Sequence, residues 1–170
     1  MTDRALVPDD FLVPHHLVTP LFHLEPLGPQ HNPADHAAWT SSIEHIRATP
    51  GFQDWGWPPP ASMPLADNLA DLKRHAEDFS RRIGFTYTVI ETASGEVIGC
   101  VYIYPSRSDD HVTDVRSWVR ADRAELDTPL YEAVTAWLTA DWPLGTLNYQ
   151  PRPAPDATHR DKSRWPRELP

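Results

Sequence analysis

Residues 85–105 constrain the fold more than any other stretch of this chain. "FTYTVIE" (Phe85 to Glu91) and "EVIGCVYIYP" (Glu96 to Pro105) are dense in β-branched and aromatic residues, and "TASG" separates them. Two such runs across a short turn form an antiparallel hairpin. A third run, "HVTDVRSWVR" (His111 to Arg120), follows closely enough to extend the same sheet. Everything before and after must then be layered on an antiparallel core of strands.

Helices are expected on both sides of that core. Asn32 reads as an N-cap, Pro33 as the first helical residue, and Asp35 suits the positive end of the dipole. Trp39, Ile43 and Ile46 then form one apolar stripe as far as Pro50. The aromatic segment "TPGFQDWGWPPPASMP" is too rich in proline and glycine for helix or strand. From about Asp67 to Ile83, Leu69, Leu72, Ala76, Phe79 and Ile83 share one helical face, and Gly84 is placed to end the helix. Lys73, Arg74, Glu77, Asp78, Arg81 and Arg82 read as its solvated face. After the third run, Thr128 caps a helix that Pro129 opens, with Leu130, Val134, Trp137 and Leu138 as its stripe. Short strands fit Leu21 to Leu27 and "GTLNYQ". The order is β-α-α-β-β-β-α-β, an α+β fold with a mostly antiparallel central sheet flanked by helices. Residues 1–18 read as an extended N-terminal arm, 19–150 as the domain, and 151–170 as a tail rich in proline and arginine.

Composition narrows the function. A chain of 170 residues suits one domain with a real core, and its single cysteine, Cys100, excludes a disulfide scaffold. No apolar run approaches the roughly 18 residues of a spanning helix, so no membrane partner is expected. Asp3, Pro8, Asp9 and Asp10 interrupt the N-terminus where a signal peptide needs apolar residues, and a cytoplasmic protein is expected. A net charge of −9 argues against nucleic acid as a partner. The tail alone is net basic, with Arg152, Arg160, Lys162, Arg164 and Arg167 against three acidic residues, while residues 1–150 are net acidic. His15 and His16 lack the spacing of a metal motif, as do His31 and His36, so no metal site is expected.

Three stretches resemble the GNAT superfamily of acyl-CoA-dependent N-acetyltransferases. "TPLFHLEPL" is similar to the family's first strand, and "FTYTVIETASGEVIGCVYIYP" to its central hairpin. "VTDVRSWVRADRAELDTPLYEAVTAWL" resembles its fourth strand, phosphate loop and following helix. The resemblance implies a GNAT-like fold, acetyl-CoA or another acyl-CoA as co-substrate, and a small-molecule amine as acceptor. By the same resemblance, donor-site residues fall at Trp118, Val119, Arg120, Ala121, Arg123, Thr128 and Leu130. Backbone N–H groups around Val119 and Ala121 would take acyl and pantetheine oxygens. Asp114 would be the general base, with Glu91 as a second carboxylate, and Tyr149 would stand where an acid tyrosine is sought. Trp55, Trp57 and Tyr87 would line the acceptor side.

The chain departs from the family in two places. The family loop reads Q/R-x-x-G-x-G/A, whose glycines let backbone N–H groups reach the CoA pyrophosphate. Here "RADRAELDTP" has no glycine in either frame and carries Glu125 and Asp127, which repel an anion. The family also continues after its fifth strand with a helix and two more strands, where this chain has about twenty proline-rich residues. That truncation leaves an edge that a second copy could complete as a homodimer. Two functions of different class follow. One is an N-acyltransferase that moves an acyl group from acyl-CoA to an amine. The other is a catalytically inactive GNAT-like ligand-binding or dimeric interaction module.

Overall fold

The computed structural model describes residues 5–153. Its centre is one six-stranded sheet in sequence order: β1 (Leu17–Val18), β2 (Phe22–Pro26), β3 (Phe85–Glu91), β4 (Val97–Pro105), β5 (Val112–Val119) and β6 (Thr146–Tyr149). Neighbours are antiparallel except β5 and β6, which run parallel. Four helices flank the sheet: α1 (Asn32–Thr40), α2 (Ile43–Arg47), α3 (Leu65–Ser80) and α4 (Asp127–Asp141). The expected hairpin and third strand are the three central strands.

Alternation along these strands builds two cores. Phe85, Tyr87 and Val89 of β3, with Val101, Ile103, Val115 and Val119, face α4 and its Leu130, Val134, Trp137 and Leu138. Cys100, Tyr102 and Trp118 face the other way, under Trp39, Ile46, Phe52 and Leu72. A bulge at Ile98 inverts the alternation there, so Ile98 joins the core of Val101 and Ile103 while Val97 joins that of Cys100 and Tyr102. Gly99 permits close approach of β5, since a Cβ there would collide with the Trp118 carbonyl oxygen.

Several local expectations change. The expected N-terminal arm contributes β1, which pairs with β2. It is fastened further by Arg82, which donates to the carbonyls of Pro8 and Phe11, and by the Tyr87 hydroxyl, which donates to the Pro14 carbonyl at 2.7 Å. Asn32 does not cap α1; its amide instead donates to the Leu65 carbonyl and accepts from Asn68. The stripe Trp39, Ile43, Ile46 spans two helices, because the chain breaks at Ser41 and Ser42. Ser42 Oγ there accepts the Ala121 N–H at 2.8 Å. Helix α3 ends at Ser80, and Arg82, not Gly84, takes the left-handed conformation with φ of 62°. Gly84 is instead the seat of the Tyr104 ring, and a Cβ there would collide with that ring.

A buried polar network locks α1 to α3. Trp39 Nε1 donates to Asn68 Oδ1 at 2.9 Å, and Asn68 Nδ2 donates to Asn32 Oδ1 and Asp35 Oδ2. Burial pushes the Asp35 carboxyl up to about 6, and the Asn68 hydrogen bond offsets only part of that cost. Below pH 4 the carboxyl is protonated in both folded and unfolded chains. Between about pH 4 and 6 it ionises first in the unfolded chain, so its contribution to stability falls as pH rises. Asp35→Asn should therefore stabilise the protein by about 1–3 kcal/mol at pH 7.5 and have almost no effect at pH 3.5. Urea unfolding at both pH values measures this, and an equal effect at the two would contradict it.

Candidate functional site

The helical face of the sheet opens into a cavity of about 1490 Å³ between the Trp55–Trp57 loop, α3, and strands β4 to β6. The loop is stiff with proline and pinned at two points: Arg47 donates to the Pro58 carbonyl at 2.6 Å, and Arg116 Nε to the Gly51 carbonyl at 2.8 Å. Trp57 packs on Trp39 at 5.3 Å, on Tyr102 at 6.2 Å and on Trp118 at 6.3 Å between ring centroids. Trp55 remains 41% exposed and stacks against the Arg116 guanidinium, 4.3 Å from its centroid. Trp55 and Trp57 both line this cavity. Tyr87 does not join them, because odd-numbered β3 residues face α4.

Asp114 reaches this cavity from β5, beside Tyr104 across the strand pair. Its register partner on β6, Asn148, donates to its Oδ1 at 2.9 Å. Tyr149 is the next residue of β6 and pairs with Val115, so it faces the opposite core. Its hydroxyl lies 2.6 Å from Ser117 Oγ, and burial raises its pKa. Glu91 is elsewhere again, at the end of β3, with both oxygens 3.0 Å from Arg123 Nε. Hydrogen bonds from Ser94 and Arg123 hold its carboxyl below the usual range. The fold therefore keeps the three candidate catalytic groups apart, and Asp114 is the one that reaches the cavity.

Sequence patterns left other cavity residues unmarked. His75 of α3 places Nδ1 3.0 Å from the Tyr104 hydroxyl and 3.1 Å from Thr86 Oγ1. Tyr104 donates its own proton to Asp78 at 2.8 Å, so Asp78 does not belong to a merely solvated face. Burial lowers His75 to about 4, leaving it neutral at pH 7. The period-two spacing of Tyr102 with Tyr104, and of Asp114 with Arg116, was the available signal.

The residues that the resemblance assigns to the donor lie past β5, where a 3-10 turn (Ala121–Leu126) leads into α4. Trp118 is buried core and donates to Tyr102 Oη at 3.0 Å. Val119 and Leu130 are buried in the other core. Arg120 is committed to Asp122 and Glu96, and Arg123 to Glu91 and Asp122. The Ala121 N–H is taken by Ser42. Thr128 lies half-buried in the first turn of α4. Strand β6 ends at Tyr149, opposite Val115, and beyond that end the Arg152 side chain lies along β5 at Ser117. That side chain is 1% exposed. Nε donates to Asp127 at 2.8 Å, one terminal nitrogen to the Ser117 carbonyl at 2.8 Å, and the other to the Gln150 carbonyl at 2.8 Å. Arg152, expected to open a tail, is thus a packed residue of the domain, and 154–170 lie outside the described residues.

These residues do not fit an acyl-CoA pyrophosphate and pantetheine as they stand. The loop lacks glycine, its arginines already carry carboxylate partners, and Arg152 lies along β5 beyond the end of β6. Among the described residues no group of histidine, cysteine and carboxylate side chains could hold a metal ion. No helix among them is long and apolar enough to cross a membrane. Arg152→Ala would strand Asp127 and the Ser117 carbonyl, at a cost of about 3 kcal/mol. Arg152→Lys should recover only part of that, because an ammonium cannot reproduce the guanidinium fork. Denaturant unfolding tests both, and a wild-type-like Arg152→Ala would show the contacts to be dispensable.

No protein-family model matches this sequence, and no curated protein matches it. Solved structures do match its fold. A ribosomal-protein-S5-alanine acetyltransferase from Vibrio fischeri aligns with a TM-score of 0.56 and 13% identity, over 72% of this chain and 66% of that one. The microcin C7 self-immunity acetyltransferase MccE, solved with acetyl-CoA and AMP, gives 0.57 and 12%, over 77% and 68%. An acetyltransferase from Thermus thermophilus gives 0.54 and 14%, over 88% of each chain. The chain spans about two thirds of the length of the first two structures. The strand order, the central hairpin and these alignments agree: this chain has the fold of the GNAT acetyltransferases.

Proposed function

We propose that this protein is an N-acyltransferase-like binding protein for a small amine, which it holds in the cavity beside Trp55, Trp57 and Asp114. The observation that carries this reading is the pairing of an aromatic wall with a positioned carboxylate. Trp57 and Tyr102 line the cavity with aromatic rings, surroundings that favour an organic cation. Asp114, anchored by Asn148, offers an acceptor to its ammonium group. His75, neutral and tied through Nδ1, adds an uncharged polar neighbour that does not repel a cation. The Trp55–Trp57 loop that lines the cavity is the segment that the resemblance assigns to the acceptor amine.

The region past β5 favours a protein that binds its amine without acyl transfer, since Arg152 lies along β5 beyond the end of β6. A second reading rests on that stretch of β5 itself. Val119 and its neighbours have no β6 partner beyond Val115, so displacement of Arg152 would open a strand edge to an acyl-CoA.

Calorimetric titration separates the two. The wild-type protein should bind phenethylamine, and Asp114→Asn should weaken that binding at least tenfold, about 1.4 kcal/mol. Acetyl-CoA at millimolar concentration should give no heat and no rise in melting temperature. Micromolar binding of acetyl-CoA would instead favour the transferase, and an Asp114→Asn variant that binds the amine normally would remove the carboxylate from the proposal.

A further inference from the structure

Within the amine reading, on which this inference rests, β5 adds a second charge to the cavity. Arg116 stands two residues after Asp114 on the same strand face, about 7 Å farther along the strand. Both line the cavity. Among the described residues, neither forms an ion pair with the other or with any other group. Arg116 spends Nε on the Gly51 carbonyl, and its two terminal nitrogens have no hydrogen-bond acceptor among the described residues. Contact with the Trp55 ring fixes the plane of the guanidinium. Its partial burial disfavours the charge, which a bound anion would compensate.

We propose that the site takes a zwitterion, an α-amino acid whose ammonium meets Asp114 and whose carboxylate meets the terminal nitrogens of Arg116. Charge-assisted hydrogen bonds of about 2.8 Å at each end of an α-amino acid suit two side chains that leave one strand face about 7 Å apart. Arg116 presents a fork, which suits the two oxygens of a carboxylate. Opposite charges two residues apart on one strand face give the ligand a direction: its side chain turns toward Trp57, Tyr102 and Leu72. Arg107 also lines the cavity and adds a second positive charge near Arg116, while two of the other carboxylates there are already engaged. Asp71 is bonded to Arg74 at 2.7 Å, and Asp78 accepts from Tyr104.

The test is calorimetric titration of the full chain with each of the twenty L-amino acids, then with the amide and the decarboxylated amine of the tightest binder. At least one amino acid should bind at least tenfold more tightly than its amide and its amine. Arg116→Gln should erase that preference while amine binding survives, and Arg116→Lys should keep part of it. Asp114→Asn should weaken all three ligands. An amide that binds as tightly as its acid overturns the zwitterion while leaving the amine reading intact, as does an Arg116→Gln variant that keeps the preference. If no amine or amino acid binds at 10 mM, roughly the weakest affinity the method reads, the amine reading fails and this one with it. Circular dichroism checks the fold of each variant. Should Arg116→Gln unfold, the acid-to-amide ratio of the wild type decides alone.

Discussion

A sheet buried on both faces cannot tolerate a slip in register. Tyr102, Trp118 and Cys100 fill one core, and Val101, Ile103 and Val115 fill the other. A shift by one residue would exchange every member of these sets. The same alternation that builds the cores sorts the polar residues. It delivers Asp114 and Arg116 to the cavity and sends Ser117 and Tyr149 to the far side. Site and core are therefore two readings of one register, fixed by the packing of β4 against its neighbours.

The hairpin, the third strand and the last helix were legible because their signals are local: β-branched runs, a short turn, a proline at a helix start. Trp55 and Trp57 were legible as a wall because proline makes their loop stiff. What stayed hidden depends on contacts between distant segments. Asn32 looks like a cap, yet the amides of α3 claim it. Asp78 looks solvated, and only the fold brings Tyr104 to it. Asp114, Glu91 and Tyr149 are chemically plausible together, but β6 runs parallel to β5 and in a register that places Asn148, not Tyr149, beside Asp114. Arg152 lies in a proline-rich stretch that has no periodicity, so nothing local marks it as core.

The turn from β5 into α4 is a junction built on charged side chains. A glycine-rich anion loop uses backbone N–H groups and a helix terminus, and it needs no charged side chains. Here that region is populated by Arg120, Arg123 and Arg152 against Glu91, Glu96, Asp122 and Asp127. They pair with one another, so the turn into α4 is held by internal ion pairs.

The floor of the cavity has a dependence that lies outside it. Tyr104 can lean toward Asp78 and His75 because Gly84, between α3 and β3, leaves its ring a place to lie. Even a methyl group at residue 84 would push the phenol away and break both hydrogen bonds at once. The chemistry of the cavity can thus drift through Trp55, Leu72 or Arg116 one residue at a time. Position 84, which lines no part of the cavity, governs its floor through the ring that it seats.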